Sequence, residues 1–145
     1  MRKSARGSWK MDDIRKLCDA VRETAFAVHT YFRHGHLEKV YENALAHRLR
    51  VAGMQVTQQQ PLSVFDKDGT NVGQYFADIV IEEFLIVEIK AVGSLCAEHQ
   101  AQLLGYLRSA RVEHGLLINF GSRKFQIRKY VLSAVDAGPT ILDPL

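Results

Sequence analysis

Asp78, Glu88 and Lys90 are charged residues in a largely apolar stretch, DIVIEEFLIVEIKA (78–91). The pattern predicts two strands joined by a tight turn. Glu88 and Lys90 share a face, because side chains alternate along a strand. A buried carboxylate costs several kcal/mol unless a proton, a partner or a cation neutralises it. The stretch therefore indicates either a reactive site or an ion pair at the end of a strand.

The position of Asp78 depends on the register of this hairpin. If Glu83 is the centre of the turn, Asp78 lies directly opposite Glu88, with Cβ atoms about 5 Å apart. If the centre falls between Glu82 and Glu83, Asp78 points to the other face. Both faces are largely apolar, so the hydrophobic pattern leaves both registers open. A reactive site requires the first register or a compensating bulge.

Two facing carboxylates suit a hard divalent cation, because Mg²⁺ takes one or two carboxylates and keeps several waters. A cation there would polarise a phosphoryl oxygen and lower the pKa of a water. A lysine beside it would orient that water or stabilise developing negative charge. Asp78, Glu88 and Lys90 thus have the chemistry for phosphodiester hydrolysis. The alternative is a structural ion pair between Glu88 and Lys90.

Hydrophobic periodicity predicts the elements that position these residues. Helices are expected from Met11 to about Phe32, with Gly35 as the C-cap, and from about Leu37 to Val51. Three strands of an antiparallel meander follow, then a helix and two more strands. Their ranges are 54–65, 71–81, 84–92, 96–111, 114–120 and 124–132. A helix between strands suggests a parallel crossover, so the fold class is α/β or α+β with one mixed central sheet.

The length of 145 residues favours one domain, spanning 11–145, behind a flexible basic N-terminus of residues 1–10. No apolar run is long enough to span a membrane, so a membrane partner is not expected. Two cysteines without a CxxC motif are typical of reduced thiols in a cytoplasmic protein. The chain has no GxxxxGK, GxGxxG or GxSxG motif, so the sequence gives no support for a P-loop nucleotide hydrolase or a serine hydrolase.

The order of the motifs resembles a known family. Asp78 followed by Glu88-Ile89-Lys90 and a helix is similar to the core of the PD-(D/E)XK nuclease superfamily, with Ala77 in place of the usual proline. GHLEKVY (35–41) resembles the motif that names the GxxExxY protein family. QLLGY (102–106) is similar to the QxxxY motif of several nuclease branches, and GLLINFG (115–121) to the strand that follows.

The resemblance implies a restriction-endonuclease-like fold and gives each motif residue a role. Asp78 and Glu88 would hold Mg²⁺ or Mn²⁺ together with the carbonyl of Ile89, and Lys90 would position or activate water. The further residues are expected to assist: Glu38 as a third carboxylate, Gln102 as a hydrogen-bond partner of the lysine, a water or a phosphate, and Tyr41, Tyr106 and His99 as support.

Several of these residues also have plainer interpretations. Glu38 is equally typical of a capping or salt-bridging residue near a helix start. Tyr106 is equally typical of the core, and Glu42, one turn after Glu38, is expected to be solvated. His34 and His36 lack partners at zinc-finger spacing, so zinc is not expected.

SRKFQIRKY (122–130) carries four cations with aromatic residues between them: Arg123, Lys124, Arg128 and Lys129. Alternation would line several of them along one strand face, as a phosphate-contacting stripe. The alternative is an edge strand protected by charge. A net charge of +3 and a pI of about 9.0 are compatible with a nucleic-acid partner.

The leading hypothesis is a metal-dependent nuclease acting on DNA or RNA. One alternative is a non-catalytic domain that keeps the fold and binds nucleic acid or a protein. A third is a small assembly protein whose helices within 12–51 form a dimer face. The short chain is also compatible with a homodimer or a partner protein.

Overall fold

The computed structural model describes residues 11–132 and 139–141. The predicted flexible N-terminus, residues 1–10, lies outside them. The helices are α1 (Met11–Phe32), α2 (Glu38–Val51) and α3 (Ala97–Ala110). The strands are β1 (Val56–Phe65), β2 (Asn71–Ile81), β3 (Leu85–Lys90), β4 (His114–Asn119), β5 (Gln126–Leu132) and β6 (Pro139–Ile141). Within this described part, no helix is long and apolar enough to cross a membrane.

The strands form one mixed sheet in the order β1-β2-β3-β4-β5-β6. β3 and β4 are parallel, and the other neighbours are antiparallel. Parallel neighbours need a long connection, and α3 supplies it. The predicted meander, crossover and mixed sheet are therefore confirmed. The short strand β6 falls in a tail where the sequence pattern gave no signal.

Helices cover both faces of the sheet, because β3 is apolar on both sides. Leu85, Val87 and Ile89 pack in the larger core with α1 and α2. Ile86 points the other way, into a second core with Leu103 and other residues of α3. The alternation of side chains along one buried strand thus joins the two layers into an α+β sandwich.

The β2–β3 hairpin has the register that a reactive site requires. Ile79 pairs with Val87, and Ile81 pairs with Leu85, so Glu83 is the centre of the turn. The Phe84 N–H donates to the Ile81 carbonyl (3.0 Å). Glu82 and Glu83 both have positive φ angles, 55° and 59°, which is uncommon for residues other than glycine. Turn composition therefore did not reveal the register.

The end of α1 differs from the expectation. The helix stops at Phe32, and Arg33 adopts the left-handed conformation, with φ 60° and its N–H donating to the His29 carbonyl (2.8 Å). Gly35 has φ 119° but lies two residues later, inside the loop. The prediction of Gly35 as the C-cap was wrong, because a non-glycine residue accepts the αL position first.

Gly121 lies where the β4–β5 loop crosses the end of β3. A Cβ atom there would lie 2.2 Å from the Val92 nitrogen and 2.3 Å from the Ala91 carbonyl carbon. We expect Gly121→Ala to lower the free energy of unfolding by about 3 kcal/mol, because backbone atoms have little freedom to move aside. Chemical denaturation measures this change.

Gly105→Ala is the matched control. A Cβ atom at this position in α3 meets nothing within 4 Å. The substitution should raise the free energy of unfolding by about 0.5–1 kcal/mol, because alanine is the better helix former. Equal effects of the two substitutions would contradict the close approach at Gly121.

Candidate active site

Asp78 and Glu88 meet at the point where the β2–β3 ladder ends. They stand one step beyond the Ile79–Val87 pair, directly opposite each other. The Asp78 N–H donates to Glu88 Oε1 (3.0 Å), and the Ile89 N–H donates to Asp78 Oδ2 (2.9 Å). Each carboxylate therefore accepts a backbone hydrogen bond from the opposite strand, which fixes the two side chains together.

A kink in β2 turns Asp78 toward this position. Ala77 belongs to the core under α3, whereas Ile79 belongs to the core under α1 and α2. Residues two apart in a regular strand face the same side, so the strand rotates at Asp78. Gln59 on β1 has φ 52° and is skipped by the β1–β2 ladder at the same level. This irregularity at Gln59 and Asp78 turns the Asp78 carboxylate toward β3.

Glu88 is only 2% exposed, and this burial governs its protonation. Burial, and after it the negative charge of Asp78, raise the pKa of Glu88 from 4.5 to about 9. Lys90 opposes the shift. A carboxylate in this state takes up a proton near neutral pH unless a cation replaces that proton.

Lys90 lies on the same face of β3 as Glu88 and reaches α3. Its Nζ donates to Gln102 Oε1 (2.6 Å). Lys90 is half-buried and Gln102 is exposed, so the ammonium group lies at the edge of the site, in reach of solvent. The structure brings the predicted lysine and glutamine together.

Glu38 is the first residue of α2 and approaches the site from the other helical layer. Partial removal from water raises the pKa of Glu38, the charge of Lys90 lowers it, and the charge of Asp78 raises it. A hydrogen bond from the Ala91 backbone also stabilises the carboxylate. Glu38 is exposed, yet it is electrostatically coupled to both Asp78 and Lys90.

Tyr41 holds the loop that precedes Glu38. Its hydroxyl donates to the Arg33 carbonyl and accepts from the His36 N–H (3.1 Å). The fully buried ring stacks on Phe120, with centroids 4.9 Å apart. Tyr41 therefore supports the start of α2 through the backbone.

Tyr106 and His99 occupy different surroundings on α3. Tyr106 is buried against Tyr75, with ring centroids 4.9 Å apart. Burial, and after it the charges of Glu88 and Asp78, raise the pKa of Tyr106 to about 12, so the ring is electrostatically coupled to the two carboxylates. His99 Nδ1 accepts the Cys96 N–H (3.2 Å), which gives this ring a capping role at the start of α3.

Glu42 is buried beside Asp78, and the prediction of a solvated position for it was wrong. It is 3% exposed, whereas a solvated position was expected. Its carboxylate accepts hydrogen bonds from Gln58 Nε2 (2.8 Å), Gln59 Nε2 (2.9 Å) and Lys39 Nζ (3.0 Å). Gln59 Nε2 also donates to Asp78 Oδ1 (3.2 Å). The consecutive glutamines of β1 (58–60) were the available signal, because side-chain amides on a covered strand need partners.

This network gives a stability prediction. Glu42→Ala should lower the free energy of unfolding by about 1–3 kcal/mol, because it removes the buried acceptor of hydrogen bonds from Gln58, Gln59 and Lys39. Metal-dependent cleavage should fall about tenfold, because Gln59 then holds Asp78 less firmly. Chemical denaturation and cleavage rates test both effects. Glu113→Ala, at an exposed site before β4, is the control, and an equal loss there would contradict the prediction.

The predicted basic stripe is divided by the fold. Arg123 and Lys124 are exposed in the β4–β5 loop, and Arg128 is half-buried. Lys129 faces the opposite side of β5 from Arg128, is 6% exposed, and interacts with the Cys18 thiol of α1. The expectation that Lys129 contacts phosphate is therefore wrong, because alternation turns it into the core.

The donor set fits a hard cation with few protein ligands. Within residues 12–132, no three side chains of His, Cys, Asp or Glu form a group that could hold a metal ion by themselves. Asp78 and Glu88 instead form a pair whose negative charges lie close together. Mg²⁺ accepts such sites, because one or two carboxylates suffice when waters complete the shell.

A family model for the PD-(D/E)XK nuclease superfamily matches residues 15–130. No curated protein and no solved structure matches the chain. The matched range contains both carboxylates, Lys90, all three helices apart from the first residues of α1, strands β1 to β4, and β5 apart from its last two residues. The chain belongs to the PD-(D/E)XK nuclease superfamily.

Proposed function

We propose that this protein is a Mg²⁺- or Mn²⁺-dependent nuclease that hydrolyses phosphodiester bonds of DNA or RNA. The observation that carries the proposal is the mutual arrangement of Asp78 and Glu88. Each accepts a backbone hydrogen bond across the hairpin, and burial together with the charge of Asp78 raises the pKa of Glu88. A divalent cation relieves that repulsion and is the usual cofactor of the superfamily.

The residues of this chain have separate tasks in the proposed site. Asp78 and Glu88 would hold the cation, with the Ile89 carbonyl as a further ligand and Glu38 assisting from α2. The cation would polarise the phosphoryl oxygen. Lys90 Nζ would orient the attacking water and stabilise the charge that develops on the phosphate. Gln102 keeps that ammonium group in place, as its 2.6 Å contact indicates.

The finer assignment to the GxxExxY family rests on one loop and the start of one helix. Gly35 has a positive φ angle, Glu38 is coupled to Asp78 and Lys90, and Tyr41 anchors the loop between α1 and α2. Each motif residue thus has a physical task in presenting Glu38. A cytoplasmic location is proposed with it, because Cys18 and Cys96 are free thiols.

A cleavage assay on mixed DNA and RNA substrates tests the proposal. We expect products with Mg²⁺ or Mn²⁺, none with a chelator, and none from Asp78→Asn. The non-catalytic alternative predicts that nucleic acid is bound but left intact under every metal condition. The assembly alternative predicts no binding, with dimers detected by light scattering.

A further inference from the structure

A second site lies between α1 and the first residues of β5. It is a cavity of about 700 Å³, within the range of small-ligand pockets, and it shares no lining residue with the candidate active site. Arg22, Lys124 and Arg128 line it, and Glu23 is the one carboxylate among the described residues around it. The excess of cations favours an anionic ligand.

The cations of this cavity are available to a ligand. Within the described residues, neither Lys124 nor Arg128 forms an ion pair. Arg22 contacts Asp19 at 3.8 Å, but both side chains are partly exposed, and such pairs contribute little. The Nε of Arg22 is buried and has no hydrogen-bond partner among the described residues. An unsatisfied buried donor is unfavourable, and an anion in the cavity would supply the acceptor.

An aromatic surface stands beside these cations. Phe26 is 56% exposed on α1, and its ring packs edge-on against Phe125, with centroids 5.7 Å apart. Both rings line the cavity. Cations next to an exposed ring suit a ligand with a phosphate and a flat aromatic group, because bases stack on aromatic side chains while phosphates pair with arginine and lysine. A nucleotide has both parts.

The cavity lies close to the candidate active site. The ladders pair Lys90 with Asn119, and Asn119 with Gln126, on three neighbouring strands. Two strand spacings place the backbone of Gln126, which lines the cavity, about 10 Å from the backbone of Lys90. Lys90 faces α3 and the cavity faces α1, so a bound strand would pass around this end of the sheet. Asn119 Nδ2 donates to Gln126 Oε1 (2.9 Å) and to the Val92 carbonyl (3.0 Å). These bonds connect the start of β5 to the segment that follows β3.

A smaller cavity of about 300 Å³ continues the cationic surface. It is lined by Arg33 and His34 from the end of α1 and by Arg123 from the β4–β5 loop. Arg33 and His34 lie in the loop that leads to Glu38. Arg123 and Arg33 therefore extend the positive surface from the larger cavity toward the start of α2.

From this arrangement we infer that the larger cavity binds one unpaired nucleotide of the substrate, with its phosphate at Arg22 and Lys124 and its base against Phe26. A base inside a duplex is already stacked, so only an unpaired base reaches the ring. The inference deepens the proposed nuclease function: the substrate carries a single-stranded segment beside the scissile bond.

Binding without metal tests this site separately from cleavage. Fluorescent single-stranded and duplex oligonucleotides, of DNA and of RNA, are titrated with the full chain in a chelator. Phe26→Ala should weaken single-strand binding about tenfold and duplex binding less than about twofold. Arg22→Gln with Lys124→Gln should reduce the salt slope for single strands by about 1.4, which corresponds to two lost phosphate contacts.

Two controls remove similar groups elsewhere. Tyr31→Ala removes an exposed ring from the same helix, and Lys67→Gln removes a cation from the β1–β2 turn. Neither should change single-strand binding more than about twofold. The inference would be overturned if Tyr31→Ala weakened single-strand binding as much as Phe26→Ala, or if Lys67→Gln weakened it as much as the double cation variant. It would also be overturned if Phe26→Ala weakened single-strand and duplex binding equally. Strand binding that depends on Phe26 without any cleavage would uphold this site and reject the nuclease proposal.

Discussion

Glu88→Gln should reduce metal-dependent cleavage by about 10³-fold or more, because a lost metal ligand removes several kcal/mol of transition-state stabilisation. The same substitution should make the metal-free protein more stable. Glu88 is 2% exposed, and its pKa is raised to about 9. Glutamine keeps the size of the side chain and removes the buried charge.

The stability effect has a definite pH dependence. Between pH 4.5 and about 9, folded Glu88 holds a proton that the unfolded chain releases, so the free energy of unfolding falls as pH rises. Above pH 9 both states are ionised, and the full penalty is present. The gain from Glu88→Gln should therefore grow through this window and reach on the order of 2 kcal/mol near pH 8.

Chemical denaturation at several pH values measures the expected gain in stability, and cleavage rates measure the expected loss of activity. Glu83→Gln is the matched control, because Glu83 is exposed in the turn of the same hairpin. It should change stability by less than about 0.5 kcal/mol and leave cleavage intact. A Glu88→Gln protein that is both inactive and strongly destabilised would mean that Glu88 is structural, with the plain ion pair to Lys90 as its role.

Lys90→Met should lower kcat by about 10²–10³-fold while metal binding is retained. Lys90 Nζ contacts Gln102 Oε1 and lies on the face of β3 that carries Glu88, so it is placed to act on the phosphate rather than to bind the cation. Methionine keeps most of the side-chain volume of Lys90 and removes its charge. Lys90→Arg should not restore full activity, because the planar guanidinium has a different reach and geometry.

The pH profile separates catalysis by Lys90 from packing. Lys90 lowers the pKa of both Glu88 and Glu38, so its removal should shift the rising limb of metal affinity to higher pH. Calorimetric titration with Mn²⁺ at several pH values measures that shift. Complete loss of metal binding in Lys90→Met would contradict the separate tasks assigned to the lysine and the carboxylates.

Periodicity predicted most of the fold because each element has a clean pattern. β3 is apolar on both faces, and apolar residues recur every 3.6 residues along the helices. The β2–β3 register was open because both faces are apolar. It depends on Glu82 and Glu83 in positive-φ conformations, which turn composition does not reveal.

Three site features depended on tertiary contacts and were not visible in the sequence. The burial of Glu42 requires β1 to pass beside α2, where Gln58 and Gln59 reach it. The burial of Lys129 requires α1 to cover β5, because alternation alone does not say which face is closed. The capping role of His99 depends on a hydrogen bond from the Cys96 backbone, which the spacing of residues on one helical face does not predict.

If Asp78 and Glu88 hold a cation, metal binding must displace the proton of Glu88. Mn²⁺ is titrated calorimetrically into the full chain near pH 8, in two buffers with different ionisation enthalpies. We predict one site, release of about one proton, and affinity that rises about tenfold per pH unit until the pKa of Glu88 is passed. Asp78→Asn should abolish both signals. Absence of Mn²⁺ binding at millimolar concentration, or binding unchanged in Asp78→Asn, would contradict the assignment of Asp78 and Glu88 as a metal site.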